Sequence, residues 1–266
     1  MLVSKRLNSP EWYEALGRLV ADADGLEQAD ALIDVVSFAA QDEGTCLLAF
    51  HRDAPPQILH HTINPEDARH YLDRYIAGPY LLDPLYQLAM KPDKPVMCRF
   101  RDAQPDRFRS SEYYHQYCER THLVDEMDFV LGVSDNTTVV LVVARRARMF
   151  SKAELQRLQL ISSIVSNAMR NIWNRWSARG DAAPGDSALH HRLTTEFENF
   201  GEGVLTARER QITQLLLRGH SSKSVARELD IAPGTVMVHK RNLFSKLGIT
   251  SQYELFSLFI SNLSRY

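Results

Sequence analysis

The sequence predicts an α+β domain, an antiparallel sheet sandwiched by helices, followed by a small all-α helix-turn-helix domain. Three observations carry that reading. MDFVLGVSDNTTVVLVVAR (127–145) is a β-hairpin signal, two β-branched runs about a polar turn near Asp135-Asn136. LTARERQITQLLLRGHSSKSVARELDIAPGTVMVHKRNLFSKL (205–247) has the spacing of three short helices with two tight joins. Charge divides between these parts: residues 204–266 hold nine Lys and Arg against four Asp and Glu, while residues 1–203 hold 22 against 29. A small basic unit beside a larger acidic one is the balance expected when only one part meets nucleic acid. The expected boundaries within the 266 residues are 1–176 for the α+β unit, 177–203 for a linker and 204–266 for the helical unit.

Taken in order, residues 9–40 read as two helices, marked by Trp12, Leu16, Leu19 and Val20, then by Leu32, Ile33, Val36 and Ala39. GTCLLAFHRD (44–53) is strand-like, Pro55-Pro56 turns the chain, and QILHHTI (57–63) returns as a second strand. Asn64-Pro65 caps and opens a helix through Tyr75. After Gly78-Pro79, YLLDPLYQLAM is a loop entering a short helix; Lys94 to Arg101 reads as a strand edge, and Ser110 or Ser111 caps a helix through Glu119. Beyond the hairpin, Ser151 and Glu154 form a capping box at the head of a long amphipathic helix. Leu155, Leu158, Ser162, Val165, Ala168 or Met169, Ile172 and Trp176 run down one face of it. SARGDAAPGDSA (177–188) is small, polar and Pro/Gly-bearing, as a linker is, and HHRLTTEFENF (190–200) reads as a short helix leading onward. The alternation of helices and strand pairs over the first 176 residues resembles a GAF or PAS sensor module in fold.

In the helical unit Thr206 with Glu209 makes a second capping box, Ile212, Leu215 and Leu216 recur at helical spacing, and Gly219 stops the run. Ser222 begins a second helix with Val225, Ala226 and Leu229 inward. Pro233 suits the first turn of a third, on which Val236, Leu243 and Leu247 share a face and Gly248 closes the end. A helix held by two others with its polar face free is the arrangement that enters a DNA major groove. Met237, Val238, Arg241 and Ser245 project from that face, and Lys223, Thr235, Lys240 and Lys246 flank it where phosphates would lie. Val236 is included among the expected DNA contacts as well as in the packed set.

The words LTARER, SSKSVARELDIAPGTV and VHKRNLFSKLGI resemble the helix-turn-helix of LuxR-type transcription regulators, without a gap over residues 204–262. The resemblance implies that Glu209, Gly219, Thr235, Val236, Leu243, Leu247 and Gly248 fill core and turn positions, and that Lys223 and the exposed face of the third helix contact DNA. Met237 stands where the family often has Lys or Arg, so base reading leans on Arg241, which can bind guanine in a bidentate way. Ala232 replaces the usual Ser cap. The final helix, SQYELFSLFISNL, is more apolar than a lone domain needs, and Leu255, Leu258 and Phe259 are the expected dimer face; the resemblance also implies a homodimer. The helix at 151–176 offers a second dimer contact.

The YLLDP segment (80–84) resembles the autoinducer-binding domain of LuxR-type regulators, which implies that Asp83 accepts a ligand N–H and that Tyr75 lies on the ligand side. Residues 66–74, EDARHYLDR, lack the tryptophan that family carries there, which argues against an acyl-homoserine lactone. What remains is an acidic and tyrosine-rich set, Tyr75, Tyr80, Asp83 and Tyr86 with Glu126 and Asp128; Tyr113, Tyr114, Tyr117 and Asp125 lie nearby in sequence. Carboxylates and aromatic faces together suit a small cation, so the expected effector is a small amine, amino alcohol or amino-acid derivative. The alternative for each residue is packing, with Asp83 capping the helix opened by Pro84.

Other classes are weaker. Cys46, Cys98 and Cys118 are odd in number and in no CxxC pattern, as packed thiols of a cytoplasmic protein would be. No apolar run approaches a membrane span. His60-His61 in a strand point to opposite faces, His190-His191 near the linker are expected to be solvated, and His115 with Cys118 lacks a third ligand, so neither metal nor cofactor is expected. A phosphorylated receiver domain would need an acidic pair after a strand, whereas Asp42-Glu43 precedes one and Lys94-Pro95 is the sole echo of the rest. An enzyme with a DNA-binding tail lacks a phosphate loop, nucleophile elbow or metal triad. The leading expectation is a one-component regulator of transcription whose front domain binds a small molecule. A quorum-sensing regulator responding to an acyl-homoserine lactone is the nearest alternative.

Overall fold

The computed structural model describes residues 7–21, 25–41, 43–91, 96–179 and 187–263. Five antiparallel strands, β1 (Thr45–His51), β2 (Gln57–His61), β3 (Met97–Arg99), β4 (Asp125–Gly132) and β5 (Thr137–Arg145), form one sheet in the order β2-β1-β5-β4-β3. The β4–β5 hairpin pairs Gly132 with Thr138 and Asp125 with Arg145, around the expected turn. β1 lies antiparallel on the other side of β5, so β5 is the central strand. The strand edge expected from Lys94 is β3; Lys94 and Pro95 themselves, like Asp42, lie outside the described residues.

Alternation along the strands divides the side chains between two cores. Leu47, Ala49, Met127, Phe129, Val139, Leu141 and Val143 face helices α1 (Pro10–Val20) and α2 (Gly25–Ala39) and the long α6 (Lys152–Ala178). Ser9 caps α1, accepting from the Trp12 N–H at 3.3 Å; Trp12 and Leu19 are buried, whereas Val20 is 82% exposed and falls outside the packed stripe it was expected to join. α6 starts at the expected capping box of Ser151 and Glu154. Glu154 also pairs with buried Arg145 and, at 2.8 Å, with Arg148, and these contacts with Ser151 hold its carboxyl well below the usual range despite burial. Leu158, Val165, Met169 and Ile172 pack on the sheet.

The opposite sheet face, with Cys46, Leu48, Phe50, Val130 and Val140, is covered by shorter pieces. These are α3 (Pro65–Ile76), a 3-10 turn at Pro79–Leu82, α4 (Pro84–Ala89) and α5 (Phe100–Ala103). Asn64 caps α3 by accepting from the Glu66 and Asp67 N–H groups. The regular helix expected up to Glu119 is instead dominated by a π-helical turn, Tyr114–Cys118, followed by a 3-10 turn, Glu119–Thr121. Ser111 still caps its start, accepting from the Tyr114 N–H at 3.2 Å.

The C-terminal helices are α7 (Ser187–Asn199), α8 (Ala207–Leu217), α9 (Ser222–Glu228), α10 (Pro233–Leu247) and α11 (Gln252–Leu263). Their core of Phe197, Ile212, Leu216, Val225, Val236, Leu243 and Phe259 belongs to the same apolar cluster as the second sheet face. His190, expected to be solvated, is 3% exposed at this junction. The positions His190, Leu193 and Phe197 form one inward stripe of α7, which the polar neighbours on either side obscure in sequence.

Candidate functional site

A cavity of about 200 Å³ opens between the second sheet face and its covering pieces. Leu48, Phe50, Ile58, Leu72, Leu85, Phe100 and Val142 make most of its wall apolar. Tyr75, Asp83 and Glu126 supply polar groups on that wall, together with Tyr113, Cys118, Arg74 and Arg146. Asp83 is held from two sides: its Oδ1 accepts from the Leu85 N–H at 2.8 Å as the cap of α4, and its Oδ2 accepts from the Tyr75 hydroxyl at 2.6 Å. The packing alternative and the cavity role therefore coexist in this residue.

Glu126 and Asp128 share a face of β4, two residues apart, near enough that each shifts the proton affinity of the other. Asp128 is fully buried and is not part of the cavity wall; its Oδ2 also accepts from the Cys98 thiol at 3.9 Å. Burial pushes the Asp83 pKa up to about 6, against the lowering contacts from Tyr75 and Leu85. Burial, then the charge of Asp83, pushes Glu126 up to about 8, and burial followed by Glu126 and Asp83 raises Asp128 well above the carboxylate range. Among the described residues, no Lys, Arg or His forms an ion pair with any of these three carboxyls. The neighbouring Asp125 differs: it pairs with Arg99 and accepts from the Phe150 N–H at 2.8 Å. No group of three or more His, Cys, Asp or Glu among the described residues is arranged for a metal ion.

Tyr80 and Tyr86 do not line the cavity, which corrects their expected ligand role. Tyr80 is fully buried, its ring 6.2 Å from that of Tyr75 and stacked at 5.9 Å on His190. The His190 Nε2 lies 2.9 Å from the Arg52 carbonyl, which can only accept, so Nε2 carries the proton and Nδ1 accepts from the Tyr80 hydroxyl at 2.6 Å. This places a neutral histidine of α7 one ring away from the cavity wall, and burial lowers its pKa. Tyr86 donates to the His51 carbonyl at 3.1 Å. The Tyr117 side chain lies outside the described residues.

The second site is the three-helix unit α8–α10. Thr206 and Glu209 form the expected capping box, Gly219 ends α8 at φ +92, and Gly248 ends α10 at φ +67, a conformation that glycine adopts without strain. Ala232 makes no side-chain cap on α10, and Pro233 opens that helix. Lys223, Thr235, Met237, Val238, Arg241, Ser245 and Lys246 are exposed. Lys246 donates to Glu209 at 2.7 Å, tying the end of α10 to the start of α8. Lys240 is half-buried over the Phe244 ring. Val236 is fully buried, so it holds α10 in place and does not face DNA. Leu255 and Phe259 are also interior: Phe259 meets Phe197 and Phe200 edge-on at 5.5 and 5.6 Å. Of the expected dimer face, only Leu258 keeps part of its surface.

The family profile described as bacterial regulatory proteins, luxR family, matches residues 203–259. A putative HTH-type transcriptional regulator in the exeN 3′ region of Aeromonas salmonicida is 32% identical over 157 residues, covering 57% of this chain and 80% of the relative. The monoamine regulon transcriptional regulator of Klebsiella aerogenes is 26% identical over 207 residues, covering 78% of each chain. In fold, the front domain is similar to the VqsR LBD domain from Pseudomonas aeruginosa, with a TM-score of 0.56 at 24% identity over 63% of this chain and 99% of that one. The DNA-binding helices and the sheet domain in front of them thus have a common setting: the chain belongs to the LuxR family of bacterial transcriptional regulators.

Proposed function

We propose that the chain is a one-component transcription regulator whose cavity binds a small organic amine and thereby controls DNA binding by α8–α10. In this reading residues 1–176 sense, 204–266 bind DNA and 177–203 connect them, within the cytoplasm. The observation that carries it is the pair of carboxyls, Asp83 and Glu126, on a mostly apolar cavity wall that also holds Arg74 and Arg146, with buried Asp128 next to Glu126 on β4; none of the three carboxyls has an ion-pair partner among the described residues. At neutral pH Asp83 is mainly ionised and Glu126 mainly protonated, so the wall offers a carboxylate for an ammonium group and a further hydrogen-bonding site. Tyr75 and Tyr113 add aromatic faces.

Size points the same way. An apolar cavity of about 150 Å³ accommodates benzene, so one of this size takes on the order of ten non-hydrogen atoms. A long acyl-homoserine lactone exceeds that. The Klebsiella relative, whose name refers to a monoamine regulon, supports an amine as the class of effector. Two copies on a two-fold-symmetric operator match the geometry by which such helices enter successive major grooves. Leu258, and Leu160 at 75% exposure on α6, are apolar side chains available to a second copy.

The test is calorimetric titration of the full chain with primary alkyl and arylalkyl amines, and with acyl-homoserine lactones for comparison. The proposal expects binding by an amine and its loss in Asp83→Asn. Binding of a lactone but no amine, or amine binding indifferent to Asp83→Asn, overturns it.

A further inference from the structure

The segment from Gln104 to Ser111 lies between the cavity and the helix-turn-helix and touches both. On one side, the Phe108 ring is buried and meets Phe100 edge-on at 5.5 Å and Tyr113 at 5.9 Å; Phe100 and Tyr113 are cavity-wall residues. On the other side, Asp106 accepts from the Ser221 N–H at 2.9 Å and from the Ser221 hydroxyl. The next N–H, of Arg107, donates to the Gly219 carbonyl at 3.1 Å. The approach is close enough that a Cβ on Gly219 would stand 3.0 Å from the Phe108 Cα. One short stretch therefore backs onto the cavity and grips the turn between α8 and α9.

That turn sits at a sensitive place. In a helix-turn-helix the first helix of the pair crosses the DNA backbone while the second enters the groove. Here the first is α9, capped by Ser221, with the exposed Lys223 two residues further on. Asp106 sets a carboxylate beside this backbone-crossing side, and burial, followed by the charge of Arg107, disfavours the charge of Lys240 on α10. The Asp106 carboxylate carries the same sign of charge as a phosphate, so in its docked position it disfavours the approach of the DNA backbone.

We propose that Gln104–Ser111 is an autoinhibitory strap, which in its docked position restrains DNA binding and must leave the α8–α9 turn before the helix-turn-helix seats fully on a duplex. Ring contacts with Phe100 and Tyr113 make the strap the physical link from cavity to DNA-binding unit. That link rests on the ligand reading above, whereas the restraint itself does not.

The test needs no effector. The full chain carrying Asp106→Cys with Ser221→Cys is compared in its oxidised and reduced forms for anisotropy binding to a fluorescein-labelled duplex of mixed sequence. Mass spectrometry verifies the cross-link, and each single cysteine variant is oxidised as a control. The strap predicts that the cross-linked form binds at least about tenfold more weakly and recovers on reduction. Without the cross-link, Asp106→Asn tightens binding by about fivefold, while Asp102→Asn, an equal charge change at an exposed side chain of α5, does not. A cross-linked protein that binds like its reduced form overturns the strap. If the two cysteines do not join, equal effects of Asp106→Asn and Asp102→Asn overturn it.

Discussion

Replacing Asp83 by Asn separates the cost of holding its charge from the value of that charge to a ligand. Asp83 is an interior carboxyl whose pKa burial pushes up to about 6 from an ordinary 3.8. Because the folded chain binds this proton more tightly than the unfolded one, the group's stabilising contribution is complete below the unfolded value and is lost as pH rises through about 6. A difference of slightly more than two units, at ~1.4 kcal/mol each, amounts to about 3 kcal/mol of destabilisation at alkaline pH. Asn keeps an oxygen for the Leu85 N–H and a group for the Tyr75 hydroxyl, and it carries no charge to desolvate. Asp83→Asn should therefore be more stable than the parent by up to about 3 kcal/mol near pH 8, and by roughly half of that near pH 5. Urea unfolding followed by tryptophan fluorescence reads this cleanly, since Trp12, Trp173 and Trp176 all sit on α1 and α6, across the sheet from the cavity. The same variant should lose the stabilisation that an amine gives the parent. If it is no more stable than the parent near pH 8, with a gap that does not change near pH 5, the carboxylate is already compensated and the reasoning fails.

Amine affinity should weaken by about tenfold per pH unit below about 6 as Asp83 takes up its proton; a flat calorimetric profile there would assign the ammonium to another group. On DNA, Arg241→Ala should relax base preference, while Lys223→Ala should weaken all duplexes alike and reduce the salt slope by about one. Competition against randomised duplexes distinguishes them, and unchanged binding in both would remove this face from the groove. Phe259→Ala should destabilise the helical unit by about 3–5 kcal/mol because its ring is wholly interior, and Leu258→Ala by far less. Similar losses for the two in thermal unfolding would contradict the placement of α11.

Features set by neighbours in sequence were readable from the sequence. The capping boxes at Ser151–Glu154 and Thr206–Glu209 and the cap at Asn64 each close within three residues, and the hairpin is joined by its own turn. Strand alternation also sets Glu126 and Asp128 on one face. Which tyrosines reach the cavity was not readable, because the 3-10 turn at Pro79–Leu82 follows neither the helical nor the strand period. Tyr75 borders the cavity while Tyr80 turns to His190, a partner 110 residues away. His190 shows the opposite lesson: its spacing to Leu193 and Phe197 marks an inward face, but a polar, proline-bearing run before it suggested solvent. On α11, apolar density suggested a surface for a second copy, yet Phe197 of α7 and Phe200 just after that helix cover Phe259.

The apolar cluster that runs without a break from the second sheet face into the C-terminal helices also bears on how the molecule can be divided. A fragment ending after α6 would keep the sheet's other core intact but would strip the His190 ring from Tyr80 and uncover Phe108 at the former site of Gly219. Newly wetted aromatic surface of that kind invites self-association. Conversely, a fragment beginning at α8 would forfeit Phe197 and Phe200, the aromatic lid over Phe259. A cut between Arg179 and Ser187 keeps α7 with the helices it covers and leaves Tyr80 and Phe108 as the surfaces to be made hydrophilic.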